Sequence, residues 1–198
     1  MKGYPFLLLA FCMVLFSCES GDNSSDSATP AAAAYTDIVI NEIQSKETDG
    51  YIAEDFVELY NNSESSYTFS ANEWFLADTD DNDETTAAHI IYIPGDTVIQ
   101  GHGYLVVLTD ITDMTLITDA PAGSIYCILD GVNTSFGLGK SDSINLFYKG
   151  SSNSTPDVAV DSSSWTAHVT TRVRIPDGGD WNSGDLHTPT PGATNGTK

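Results

Sequence analysis

Positive charge is almost missing from this chain. Lys and Arg total 7 against 28 Asp and Glu, a formal net charge of −21. Such a surface repels phosphates and anionic headgroups over roughly a Debye length of 8 Å, so nucleic acid is not an expected partner. Cysteine is scarce too: Cys12, Cys18 and Cys127 are all there is. No apolar run reaches the ~20 residues that a membrane-spanning helix needs. The longest, Pro5 to Phe16, follows Lys2 and reads as a secretory signal. No stretch keeps a helical period for more than about a turn. A G-x-S-x-G elbow, a phosphate loop and a Cys/His arrangement are absent. The four histidines, at 89, 102, 168 and 187, have no zinc-ligand spacing.

What is present begins with "LFSC", residues 15–18, where the apolar run stops and polar sequence starts. It resembles the lipobox of bacterial lipoproteins, in which the cysteine is acylated and becomes the new N-terminus. Ser17 and Cys18 fit that pattern, and Phe16 is bulkier than the usual residue. The resemblance implies a lipoprotein signal peptide over 1–17, lipidation of Cys18 and attachment to a membrane through the lipid anchor. Loss of 1–17 leaves 181 residues with 6 bases and 28 acids, a net charge of −22. That length suffices for one domain with a real core. Cys127 is then alone, so no internal disulfide forms and it is expected to be a small buried apolar residue.

Residues 18–36 are small, polar and acidic, and read as a flexible tether. Fully extended, they would reach about 60 Å. From Asp37 the pattern changes to short runs of strand-forming residues. Strands are predicted at 37–43, 56–60, 73–77, 89–93, 97–99, 104–109, 124–129, 144–149, 157–162 and 171–175, separated by turn stretches such as "PGD", "GHG" and "PDGGD". Ten short strands at this spacing argue for an all-β domain, an antiparallel sandwich or barrel, over 37–198.

Eight stretches carry a resemblance to a known family. They are "IVINEI" (38–43), "DFVELYNNS" (55–63), "WFLAD" (74–78), "IPGDTVIQGHGYLVV" (93–107), "FGLGKSDSINLF" (136–147), "VDSSSW" (160–165), "RIPDGGDW" (174–181) and "TPGATN" (190–195). In this order they resemble the lamin tail domain, an immunoglobulin-like antiparallel β-sandwich of nuclear lamins and bacterial secreted proteins. The chain departs from the family at "SANEW", where Glu73 stands in place of a glycine, and in the long acidic loop that follows. No heptad repeat precedes the domain, so a filament role does not carry over. The resemblance implies a tight turn at Gly101–Gly103 feeding the strand from Tyr104. It also implies a close backbone approach at "FGLG".

Two acidic features are candidates for chemistry. In "DFVELYN", strand alternation puts Phe56, Glu58 and Tyr60 on one face and Val57 and Leu59 on the other. By the same alternation Glu42 shares a face with Ile38 and Ile40. Either Glu42 and Glu58 lie on or near the solvent side, since an unpaired buried carboxylate is costly. Or they form an acidic cluster with Asn41, Asp55 or a metal, and paired acids in a cleft can serve as acid and base. The second feature is "DTDDNDE" (78–84), in which Asp78, Asp80 and Asn82 match the first, third and fifth ligands of a calcium loop. Asp83 and His89 break the rest of that pattern, leaving a looser oxygen cage or a solvated loop. No other cofactor is expected.

The expectation is a lipid-anchored cell-envelope binding module, on the outer membrane or cell surface. It would meet a protein or a polysaccharide there and would not be an enzyme. The alternative is a calcium-dependent polysaccharide binder using the acidic loop and exposed aromatics such as Tyr51, Tyr67 or Trp74. An enzyme would require at least two of Glu42, Asp55, Glu58 and Asp78 to converge in one pocket.

Overall fold

Alternating apolar positions build the strands, and the structure, a computed structural model, describes residues 36–45, 55–78, 89–110, 125–126, 136–149, 157–167, 171–182 and 188–196. Cys18 and the signal, nearly all of the tether, Tyr51, Asp80, Asn82, Cys127, His168 and His187 lie outside them. The elements are β1 (Ile38–Gln44), β2 (Phe56–Asn61), β3 (Tyr67–Thr68), β4 (Trp74–Asp78), β5 (Ile90–Tyr92), β6 (Val98–Ile99), β7 (Tyr104–Leu108), β8 (Ile125–Tyr126), β9 (Asp142–Tyr148), β10 (Val158–Trp165) and β11 (Arg172–Val173). No α-helix occurs among the described residues.

The chain is an all-β sandwich. One sheet has the order β11-β1-β2-β7-β8 and the other β10-β9-β4-β5, with β3-β6 as a separate short pair. Pairing is antiparallel throughout except between β7 and β8, which run parallel. Each predicted strand has a counterpart. Tyr67–Thr68 was not predicted, because two residues leave no alternation to read.

The core fills the space between the sheets. Ile38, Ile40, Ile43, Val57, Leu59, Leu105 and Val107 face inward from the larger sheet. They meet Leu76, Ile91, Ile144, Leu146, Trp74 and Trp165 from the smaller one. Trp74 is fully buried. Its indole N–H donates to the Tyr67 hydroxyl at 2.9 Å, and its ring meets Tyr67, Phe69 and Tyr148 edge-on at 5.7, 5.8 and 5.2 Å. The expectation of Trp74 and Tyr67 as exposed stacking platforms is therefore corrected: Trp74 is a core residue, and Tyr67 is half-buried against the same cluster. A different aromatic row lies on the outer face of the smaller sheet, where Phe75 is opposite both Tyr92 and Phe147. Phe75 and Phe147 stack with centroids 5.0 Å apart.

The turn at Gly101–Gly103 forms. His102 has a φ of 53°, and a Cβ on Gly101 would collide with the backbone carbonyl of Glu64. At "FGLG" two backbones do approach, the Phe136 N–H donating to the Thr109 carbonyl at 2.8 Å, but at Phe136 and not at the glycines. A Cβ on Gly137 would sit in ordinary contact, 3.6 Å from the Asp110 carboxylate, and the tight neighbour of Gly139 is the Asp142 side chain at 3.2 Å.

Candidate functional site

Everything at the site follows from one extra residue in β1. Ile38, Val39 and Ile40 pair with Asn61, Tyr60 and Leu59, and then the register shifts so that Glu42, not Asn41, is opposite Glu58. Asn41 is the residue a bulge inserts. Strict alternation would turn Glu42 inward with Ile38 and Ile40. The bulge keeps Ile40 and Ile43 in the core and turns Glu42 outward, beside Glu58. Two like charges directly opposite on one face destabilise a sheet, so the arrangement needs compensation.

The compensation comes from the far end of the chain. Residues 188–196 cross the outer face of the sheet. The Gly192 N–H donates to Glu58 Oε2 at 2.6 Å and the Thr190 N–H to Glu42 Oε1 at 2.9 Å. Glu58 Oε1 accepts from the Asn41 amide at 3.0 Å. Both glutamates are fully buried, at 0% exposure. The solvent-side expectation for Glu42 and Glu58 is thereby overturned, because a distant segment covers the face that alternation assigns to water.

A third carboxylate completes the cluster. Asp177, in the turn after β11, accepts from the Asn41 amide and the Asn195 N–H at 3.1 Å each through Oδ1, and from the Tyr104 hydroxyl at 2.6 Å through Oδ2. Asn41 returns a bond through its carbonyl oxygen, which accepts from the Gly178 N–H at 3.0 Å. The Asn195 amide donates to the carbonyls of Asn41 and Arg174. Neutral donors supply all of these contacts.

The electrostatics follow from burial with no counter-ion among the described residues. Desolvation is the main cause that raises the Glu58 carboxyl to about 8. Repulsion from Glu42 and Asp177 adds to it, against the downward pull of the Asn41 and Gly192 hydrogen bonds. Glu42 is raised to about 7, again chiefly by burial and despite its Thr190 bonds. Tyr104 and Tyr60 are pushed above the ordinary phenol range, first by burial and then by the Asp177 charge.

The remaining candidates lie elsewhere. Asp55 is not in the cluster: its Oδ2 accepts from the Leu138 N–H at 2.7 Å, and its backbone carbonyl accepts from the Thr109 N–H at 3.0 Å, fastening 136–139 to the sheet. Asp78 ends β4, 5% exposed, with its Oδ2 3.4 Å from His89 Nδ1. Of the calcium-loop residues only Asp78 is described, and among the described residues no three His, Cys, Asp or Glu side chains are grouped to hold a metal ion. Asp177, Tyr104, Thr190 and Asn195 were not anticipated as partners of the glutamates. Their stretches "RIPDGGDW" and "TPGATN" stood out only as family-like motifs. A scan against protein-family models finds no match, and no curated protein matches the chain.

Chemically, the cluster combines carboxyls poised near neutral pH with complete enclosure. Proton exchange with a substrate needs hydrogen-bond reach. In this arrangement the oxygens of Glu42 and Glu58 face the protein's own backbone and amides.

Proposed function

We propose that this protein is a non-catalytic binding module of the cell envelope, an immunoglobulin-like sandwich of lamin-tail type held to a membrane by lipid on Cys18. One observation carries the reading: the acidic side chains that could perform chemistry on the sheet face are spent on the chain's own architecture. Recognition is then left to loops and strand edges. The best-placed edge is the start of β10, the terminal strand of its sheet, where Val158 is 45% exposed and Ala159 is also exposed. A terminal strand with an apolar, uncharged start is suited to main-chain pairing with an extended partner segment.

The lipid-free form, residues 19–198, immobilised and challenged with envelope extract, is expected to retain a protein or polysaccharide that the Val158→Lys variant releases. Equal retention by both forms would remove the β10 edge from the reading, and retention of nothing would remove the reading itself. Intact mass of the envelope-bound protein is expected to show acylation at Cys18.

The second reading, calcium-dependent polysaccharide binding, shifts to other aromatics. Tyr92 and Phe147, half-buried on either side of Phe75, supply a row on an outer sheet face. A calcium-dependent version requires the melting temperature to rise in millimolar calcium relative to EDTA, since a ligand that binds only the native state must stabilise it.

A further inference from the structure

The acidic cluster goes beyond the binding-module reading, because its cover is a separate segment held by groups that can gain or lose a proton. We propose that residues 188–196 form a strap latched across the outer face of the five-stranded sheet by protonated Glu42 and Glu58, and that loss of those protons releases it.

The hydrogen-bond geometry leaves Glu42 Oε2 without a donor of its own. The Thr190 hydroxyl lies 2.8 Å from Asn195 Oδ1 and 3.3 Å from Glu42 Oε2, and it has one proton to give. The orientation of the Asn195 amide is fixed, because its nitrogen faces two carbonyls, those of Asn41 and Arg174. Its oxygen must therefore accept, and the closer Thr190 hydroxyl is the donor. The Thr190 hydroxyl therefore reaches Glu42 Oε2 only as the long arm of a shared bond, which serves a charged carboxylate oxygen weakly. Burial drives both glutamates the same way.

Among the described residues no cation faces the latch. From β1 and β2 come Glu42, Glu58 and Tyr60, from β7 Tyr104, and from the turn after β11 Asp177. The strap residues 188–196 carry no charge. His102 is turned to the Tyr60 hydroxyl at 3.1 Å. The two arginines of the neighbouring segment point away: Arg172 donates to the Ser164 carbonyl and Arg174 to Asp161, both lying over Trp181. With Glu42 and Glu58 ionised, two fully buried negative charges would stand beside that of half-buried Asp177. Water is then the available source of solvation, and it enters when the strap lifts. Lifting would uncover Glu42, Glu58 and the inner side of Asp177, so the exposed face becomes a cation-attracting surface on the alkaline side of neutrality.

Hydrogen exchange at the Thr190 and Gly192 amides of the full chain tests the latch, with the core amides of Val57 and Leu59 as internal reference and intrinsic rates corrected for pH. Between pH 6 and pH 8.5 the strap amides are expected to lose ~tenfold or more of their protection relative to the core. The Glu42→Gln, Glu58→Gln double variant cannot ionise at these positions, and its strap-to-core ratio is expected to stay flat with pH. Gln removes an acceptor and lowers strap protection at every pH, so the slope of the ratio with pH is compared and not its level. A constant ratio in the unaltered protein overturns the proposal. So does a pH-dependent loss that persists in the double variant, and if that variant does not fold the unaltered protein alone decides.

Discussion

Two buried carboxylate arrangements sit on either side of the bulge in β1, and they are built on opposite principles. On one side Asp161 meets Arg174, whose Nη2 donates to both carboxylate oxygens at 2.9 and 3.0 Å. The pair also serves the backbone next to the bulge: the Ile40 N–H donates to Asp161 Oδ2 at 2.8 Å, and Arg174 Nε donates to the Ile40 carbonyl at 2.7 Å. On the other side Glu42 and Glu58 face each other with no cation among the described residues and are capped by neutral donors. Charge matched by charge stabilises the first arrangement. The second has to be matched by protons. One strand irregularity thus produces a fixed ion-paired joint and a titratable one.

The harshest way to break the comparison is to delete Asn41. Without it Ile40 stays opposite Leu59 and Glu42 opposite Glu58, but the five hydrogen bonds Asn41 makes at the bulge are lost: from its amide to Glu58 and Asp177, to its Oδ1 from the Gly178 N–H, and to its backbone carbonyl from the Arg174 N–H and the Asn195 amide. Buried groups left unpaired cost about 1–3 kcal/mol each, a sum that reaches the 5–15 kcal/mol by which domains are typically stable. Loss of the cooperative thermal transition is expected. A folded deletion variant would show that the bulge is incidental to the placement of both joints.

Arg174→Ala comes next. It strands Asp161, whose side chain is 14% exposed, and strips the donor from the Ile40 carbonyl. Removing one partner of a buried pair costs about 4 kcal/mol, which chemical denaturation would register as a large drop in midpoint. Because the glutamate side is built without Arg174, the pH sensitivity of strap exchange is expected to survive in a variant that remains folded. If that sensitivity vanished as well, the two joints would be one network.

The sequence carried one half of this comparison better than the other. Alternation places Phe56, Glu58 and Tyr60 together and Val57 and Leu59 opposite, and the structure has them so. Alternation misplaces Glu42, because a bulge is a local change of phase that composition does not mark. Burial of both acids was illegible for a different reason: their cover, Thr190 to Asn195, lies more than 130 residues away in the chain, and periodicity reports nothing about distant partners. The same holds for Asp55. It sits just before the Glu58 strand in sequence, yet its carboxylate accepts from the Leu138 N–H, 83 residues away. Turns and strand positions are local and were readable; which polar groups meet across the fold is not local.

The smallest effect in this series is a matter of sign. A carboxyl held protonated in the folded state, with its value raised from 4.5 to about 7 or 8, binds its proton more tightly than in the unfolded chain. Its contribution to stability is fully present below about pH 4.5 and is lost as pH rises through 7 and 8. Urea unfolding at pH 5 and pH 8.5 is therefore expected to show stability falling by about 3 kcal/mol, at 1.36 kcal/mol per unit of pKa change and allowing for coupling between the two groups. The ordinary acidic protein behaves in the opposite sense over the acid range, gaining stability as its paired carboxylates ionise. The Glu42→Gln, Glu58→Gln variant isolates the cause: it should start lower at pH 5, because Gln cannot accept where each carboxyl oxygen does, and should then lose little of what remains by pH 8.5. Equal slopes in the two proteins would trace the alkaline loss to general repulsion at a net charge of −21 rather than to the joint beside the bulge.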